Sequence, residues 1–117
     1  MANVLLIKEL TLFGIPIYSL SEFRGMADAV STLRAAGVAD ILEKSAESFV
    51  DLGDVETSGI ASDTGPENLR NFPQFLKDTD NISATAGKVG AEDFVFCLGG
   101  GCELIVGTLA GFKSVFT

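Results

Sequence analysis

Apolar residues along this chain fall either in continuous runs or at helical spacing, and the pattern changes several times. From Leu10 to Tyr18, "LTLFGIPIY" is almost continuously apolar and rich in branched side chains. Such a run reads as a buried strand that ends near Pro16, which has no amide hydrogen to donate. The polar stretch "SLSEFRG" follows as a loop, with Gly25 as its turn residue. Met26, Val30 and Leu33 then recur at helical spacing, and Gly37 suits the position just past a helix. Val38, Ile41 and Leu42 suggest a second short helix ending near Lys44. "ESFVDLGD" supplies a short strand, Ser48 to Leu52. Between Asp54 and Pro66 the periodicity is lost among Gly, Ser, Thr and Asp, which predicts a long loop. Phe72, Phe75, Leu76, Thr79, Ile82, Ala86 and Val89 share one helical register. They predict a helix from about Asn71 to Lys88, with Pro73 tolerated in its first turn. A third strand spans Asp93 to Leu98, and an apolar helix spans Glu103 to Lys113.

Strands that alternate with helices predict an α/β fold: a parallel sheet with helices on both faces. Three strands are few for a finished sheet of this kind. With 117 residues, 47% hydrophobic and 21% charged, the chain suits one globular domain. Its formal charge of −8 disfavours nucleic acid and anionic lipid as partners. A small cationic ligand is compatible with it. No apolar stretch reaches the roughly 20 residues of a membrane helix. The opening residues lack a basic n-region and carry Lys8 and Glu9, so no signal peptide is expected.

There is no histidine. That removes Ser-His and Cys-His nucleophile pairs and imidazole metal sites from this chain. The two cysteines, Cys97 and Cys102, flank three glycines and do not form a disulfide framework. Free thiols in a reducing cytoplasm are expected.

The most distinctive spelling is "FCLGGGCELIVGTLAGF", Phe96 to Phe112, with Gly99, Gly100 and Gly101 in a row. Glycine permits positive φ and close backbone approach. At a strand-to-helix turn, such a bend lies at the carboxyl edge of the sheet, where α/β proteins bind ligands. The known glycine loops do not fit the spelling. A Walker loop needs Lys-Ser/Thr where Cys102-Glu103 stand, and the dinucleotide fingerprint needs glycine at Leu104. A nucleophile elbow also needs glycine at 104 and a base for the thiol. Glu103 opposes a phosphate in the first helical turn. Two readings stay open for Cys102: packing behind a tight turn, or a helix N-terminal thiol acting as nucleophile or ligand.

Among the other polar residues, Asp51, Asp54, Glu56 and Asp63 read as turn and cap residues, since their spacing does not fit a calcium loop. The triplet Asn81-Ile82-Ser83 sits inside a predicted helix and is discounted for glycosylation. Phe72, Phe75 and Phe94 read as core. Glu22 and Arg24 fall in the loop after the first strand, at the edge expected to face a ligand.

"FVFCLGGGCELIVGTLAGF" resembles the strand–Gly-Gly-Asp-His-Ser–helix segment of the arginase/agmatinase (ureohydrolase) superfamily. "LFGIPI" (Leu12 to Ile17) resembles that family's first strand, "LRAAG" (Leu33 to Gly37) the end of its first helix, and "VDLGDV" (Val50 to Val55) its second strand. The resemblance implies a partial arginase-like three-layer fold, with residues 1–117 as the N-terminal part of a larger domain. It further implies two Mn²⁺ ions at the carboxyl edge, where a bridging hydroxide attacks a guanidinium carbon. The implied substrate is a small cationic guanidino compound. By the same resemblance, Gly99, Gly100 and Gly101 form the cofactor-binding bend and Cys102 takes the place of the first metal-binding histidine. Gly101 takes the place of the preceding aspartate and Glu103 that of the following serine. The Gly-Pro that often opens the family's first helix is here Ala29-Val30. A thiolate is softer than imidazole and favours Zn²⁺ or Fe²⁺ over manganese. The family's Asp-x-His-x-Asp and Asp-x-Asp segments have no counterpart here.

Three functions are therefore weighed. The first is an N-terminal portion of a metal-dependent C–N hydrolase, inactive alone. The second is a catalytically silent relative that binds or assembles. The third is a small α/β domain that binds an anion at the glycines. An unfinished sheet predicts association, either as a homo-oligomer or with a missing C-terminal segment.

Overall fold

A computed structural model describes residues 5–18, 25–58 and 71–116. The elements run β1 (Ile7–Ile15), α1 (Gly25–Ala35), α2 (Val38–Lys44), β2 (Ala46–Asp54), α3 (Phe72–Ala86), β3 (Phe94–Gly99) and α4 (Leu104–Lys113). The three strands form one parallel sheet in the order β2-β1-β3. Parallel neighbours need crossover connections, and here helices supply them.

β1 is the central strand, and its sequence explains why. From Leu10 to Ile15 every residue is buried, as expected of a strand covered on both faces. Its side chains alternate between two cores. Phe13 and Ile15 point to one face and pack with Ile82 and Ala86 of α3, and with Leu104 and Phe112 of α4. Leu10 and Leu12 point to the other and pack with Val30 of α1, and with Val38 and Leu42 of α2. The result is the expected three layers, with helices on both sides of the sheet.

Element boundaries differ from the sequence reading at the ends. β1 begins at Ile7 rather than Leu10, because Ile7 and Glu9 pair with Ala46 and Ser48 although Lys8 and Glu9 are exposed. It stops at Ile15, directly before the proline that cannot extend a ladder, as expected. β2 runs two residues further at each end than Ser48–Leu52. As an edge strand it is only half covered, and Val50 remains exposed. At the far end of the sheet, Asp93 fixes the entry of β3. It accepts bonds from the Thr11 hydroxyl and the Gly90 amide, both at 2.7 Å. The Thr11 bond, then the Gly90 bond, hold its carboxyl below the usual carboxylate range.

α3 and α4 lie in close contact because α4 carries glycine at 107 and 111, one turn apart on a single face. A Cβ on Gly107 would stand 2.7 Å from the Thr79 carbonyl oxygen and 2.8 Å from the Ile82 Cβ. One on Gly111 would stand 2.6 Å from both the Ala86 Cβ and the Ser83 carbonyl oxygen. Opposite this face, Ile105, Val106 and Leu109 of α4 are exposed. Replacing Gly107 by alanine is expected to force α3 and α4 apart and lower stability by about 1–3 kcal/mol. A urea-unfolding midpoint no lower than that of the parent chain would contradict this packing.

Candidate functional site at the carboxyl edge

The chain leaves β1 for β2 on one side and returns past β1 to form β3 on the other. The strand order therefore reverses beside β1, and the crevice outside the carboxyl ends of β1 and β3 is the expected ligand position in such sheets. Two segments meet there: Ile15–Pro16–Ile17 from β1, and Gly99–Gly100–Gly101–Cys102 from β3.

Their contact explains the glycines. The Gly101 amide donates to the Ile17 carbonyl at 2.7 Å, and the Ile17 amide donates to the Ile15 carbonyl at 2.8 Å. A Cβ on Gly100 would press against the Ile17 carbonyl oxygen, and would lie 2.8 Å from the Ile17 nitrogen and 3.0 Å from the Ile15 oxygen. Among the described residues the glycines at positive φ are Gly37 and Gly53. The bend thus uses glycine for close approach and not for a left-handed backbone. The Gly101 amide is already spent on Ile17, and the Glu103 carboxylate lies over Gly101.

Beyond the bend, Cys102 is exposed and Cys97 is half-buried; both thiols are free. Cys97 packs against the core beneath α3 and α4, and burial pushes its thiol up to about 11. Cys102, the residue directly after the bend, is the cysteine exposed to solvent. Glu103 follows it half-buried, and α4 starts at Leu104.

Sequence reasoning missed the charged group on the other side of β1. Arg34, at the end of α1, forms a fork on Asp51 at 2.6 and 3.0 Å, while its Nε donates to Asp54 at 2.7 Å. Asp51 also accepts the Gly53 amide at 2.8 Å. These acids are therefore more than turn residues, because they tie α1 to the end of β2. Arg34 holds the Asp51 carboxyl below its usual range, and the guanidinium itself is pushed higher still. An open cavity of about 390 Å³ lies alongside, lined by Tyr18, Asp28, Ser31, Asp54, Thr57 and Ser58 among others. Glu22, Arg24 and Asp63 lie outside the described residues.

Among the described residues, no group of three or more His, Cys, Asp or Glu side chains is arranged to hold a metal ion. Cys102 is one soft donor where a binuclear manganese centre needs several oxygen and nitrogen donors. The described residues do not by themselves fit such a centre. No described helix is long and apolar enough to cross a membrane.

Two outcomes follow from this geometry. Gly100→Ala is expected to separate the two loops and destabilise the fold by about 1–3 kcal/mol; an unchanged thermal midpoint would refute the close approach. Asp51, with its lowered value, favours the folded state while ionised. That contribution is present above the unfolded value near 4 and disappears as the pH falls through the lower folded value. Asp51→Asn should therefore cost roughly 1 kcal/mol or less at pH 7, because the pair is partly solvated. The gap to the parent chain should close in acid. A gap that stays constant to pH 2 would show that the charge plays no part.

No protein-family model matches the chain. It is 29% identical over 107 residues to an arginase of Bacillus caldovelox, covering 89% of this chain and 36% of that protein. The crystal structure of Bacillus caldovelox arginase superposes with a TM-score of 0.72 at 28% identity, covering 90% of this chain and 36% of the other. The Bacillus subtilis arginase superposes at 0.70 with 26% identity, over 89% of this chain and 33% of the other. Entamoeba histolytica arginase, solved with L-ornithine, superposes at 0.83 over 97% of this chain and 38% of its own, and at 18% identity it speaks for the fold alone. In sequence and in fold the chain is thus similar to arginases, and it spans about 36% of the length of the curated relative it matches.

Proposed function

We propose that this chain contributes the glycine-bend portion of a metal-dependent hydrolase of guanidino or related C–N bonds, and that it has no such activity alone. The observation that carries the reading is that Cys102, which directly follows the bend bonded to Ile17 at the exit of β1, has an exposed side chain. That is where the resemblance places the family's first metal ligand. Gly99, Gly100 and Gly101 serve the site by bringing that position up to β1. A complete centre requires donors from polypeptide other than the described residues. The thiol at 102 suits Zn²⁺ or Fe²⁺ better than Mn²⁺. A small cationic guanidino substrate agrees with the net charge of −8, and free thiols agree with a reducing cytoplasm.

A second reading is a catalytically silent relative that works by assembly. Two observations favour it: a thiol stands where the family has histidine, and apolar surface is exposed at Phe94 of β3 and at Ile105, Val106 and Leu109 of α4. Among the described residues, β3 pairs on one side only. This reading places a homo-oligomer contact or a further segment of chain against that edge.

The purified chain, incubated with arginine or agmatine and Mn²⁺, Zn²⁺ or Fe²⁺, is expected to release no urea. Release that disappears on chelation would overturn the claim of inactivity alone. Metal analysis of the longest natural polypeptide separates the two readings. Two bound metal ions per chain support the hydrolase, and none supports the silent relative.

A further inference from the structure

The carboxyl-edge crevice is held in place by residues outside it. Three consecutive residues after β2 are each tied by a side-chain bond. Asn81 of α3 donates to the Glu56 carbonyl at 3.1 Å. The Thr57 hydroxyl donates to the Pro16 carbonyl at 3.1 Å. Ser58 donates twice to Oδ1 of Asp78, through its amide at 2.8 Å and its hydroxyl at 2.9 Å. The segment from Val55 to Ser58 thus bridges α3 and the exit of β1. Pro16 sits inside the tight turn closed by the bond between Ile15 and Ile17, and the Ile17 carbonyl receives the Gly101 amide. A continuous path of bonds and chain therefore links Asp78 to the bend that carries Cys102.

Asp78 is an expensive way to anchor a loop. It is fully buried, and its Oδ2 has no partner among the described residues. A buried acceptor left unpaired weakens a fold, and such groups call for an explanation. A carboxylate does give its Oδ1 stronger bonds to two donors than a neutral oxygen would. That gain falls on the loop, at the expense of the core.

We propose that Asp78 is a positioning residue for the crevice: by holding Ser58 it sets the Thr57–Pro16 contact, and through that contact the Ile17–Gly101 bond that aims Cys102. The proposal rests on reading the crevice as the functional site, but its test reads the bond itself. A failure of the hydrolase reading would leave that test unaffected.

Amide hydrogen exchange of the full chain, followed by NMR, provides the test. Asp78→Ala should speed exchange at Ser58 and Gly101 by ~10-fold beyond any change at Leu12 and Phe13 in the centre of β1. A general loss of stability would instead raise all four together. Asp78→Asn keeps the Oδ1 acceptor and should leave Gly101 close to the parent rate. Thr57→Val cuts the path in the middle, so Gly101 should exchange faster while Ser58 stays protected. If Gly101 changes no more than Leu12 and Phe13 in Asp78→Ala, Asp78 is only structural and the proposal falls. Should that variant fail to fold, Thr57→Val and Ser58→Ala decide it: unchanged Gly101 exchange in both overturns the proposal.

Discussion

One carbonyl oxygen, that of Ile17, organises the carboxyl edge of this protein. It accepts the Gly101 amide, and the bond can form only where residue 100 has no side chain. The contact joins the exits of two neighbouring parallel strands, which would otherwise diverge as each chain turned toward its own helix. Because β1 lies between the two cores, anything fixed to its exit is fixed to the whole sheet. Cys102 takes its position from that attachment.

The same logic of tying exits to a buried central strand recurs on the other side. The Val55 amide donates to the Gly14 carbonyl, Thr57 donates to Pro16, and Arg34 clamps Asp51 and Asp54. The exposed pairs add little stability individually. What they supply is direction, since they set where β2 leaves the sheet. The large stabilising term is burial of Leu10, Leu12, Phe13, Ile15 and Ile17, which removes apolar surface from water on both faces.

Much of the fold was legible in the residues. Apolar runs for the strands and helical spacing for the helices placed all seven elements in order, and the continuous apolar run at Leu10–Ile15 identified the buried strand. The ends were less legible. The exposed Lys8 and Glu9 masked the start of β1, and the half-covered edge position of β2 hid its full length. At the site, the glycines and Cys102 stood out by spelling, whereas Arg34 and Asp78 did not. Asp78 left one signal: it shares the helical face of Phe75, Ile82 and Ala86, so a carboxylate stands in a core stripe.

Local spacing and chain punctuation suffice to read an α/β chain with a glycine bend ahead of a thiol, and composition removes imidazole chemistry from it. The fold alone shows what the glycines are for, which acids Arg34 engages, and which loop the buried Asp78 holds. Each of those answers is a contact between residues far apart in the chain, such as Thr57 with Pro16 or Ser58 with Asp78. Such contacts depend on how strands and helices stack in space, and no local spacing encodes them.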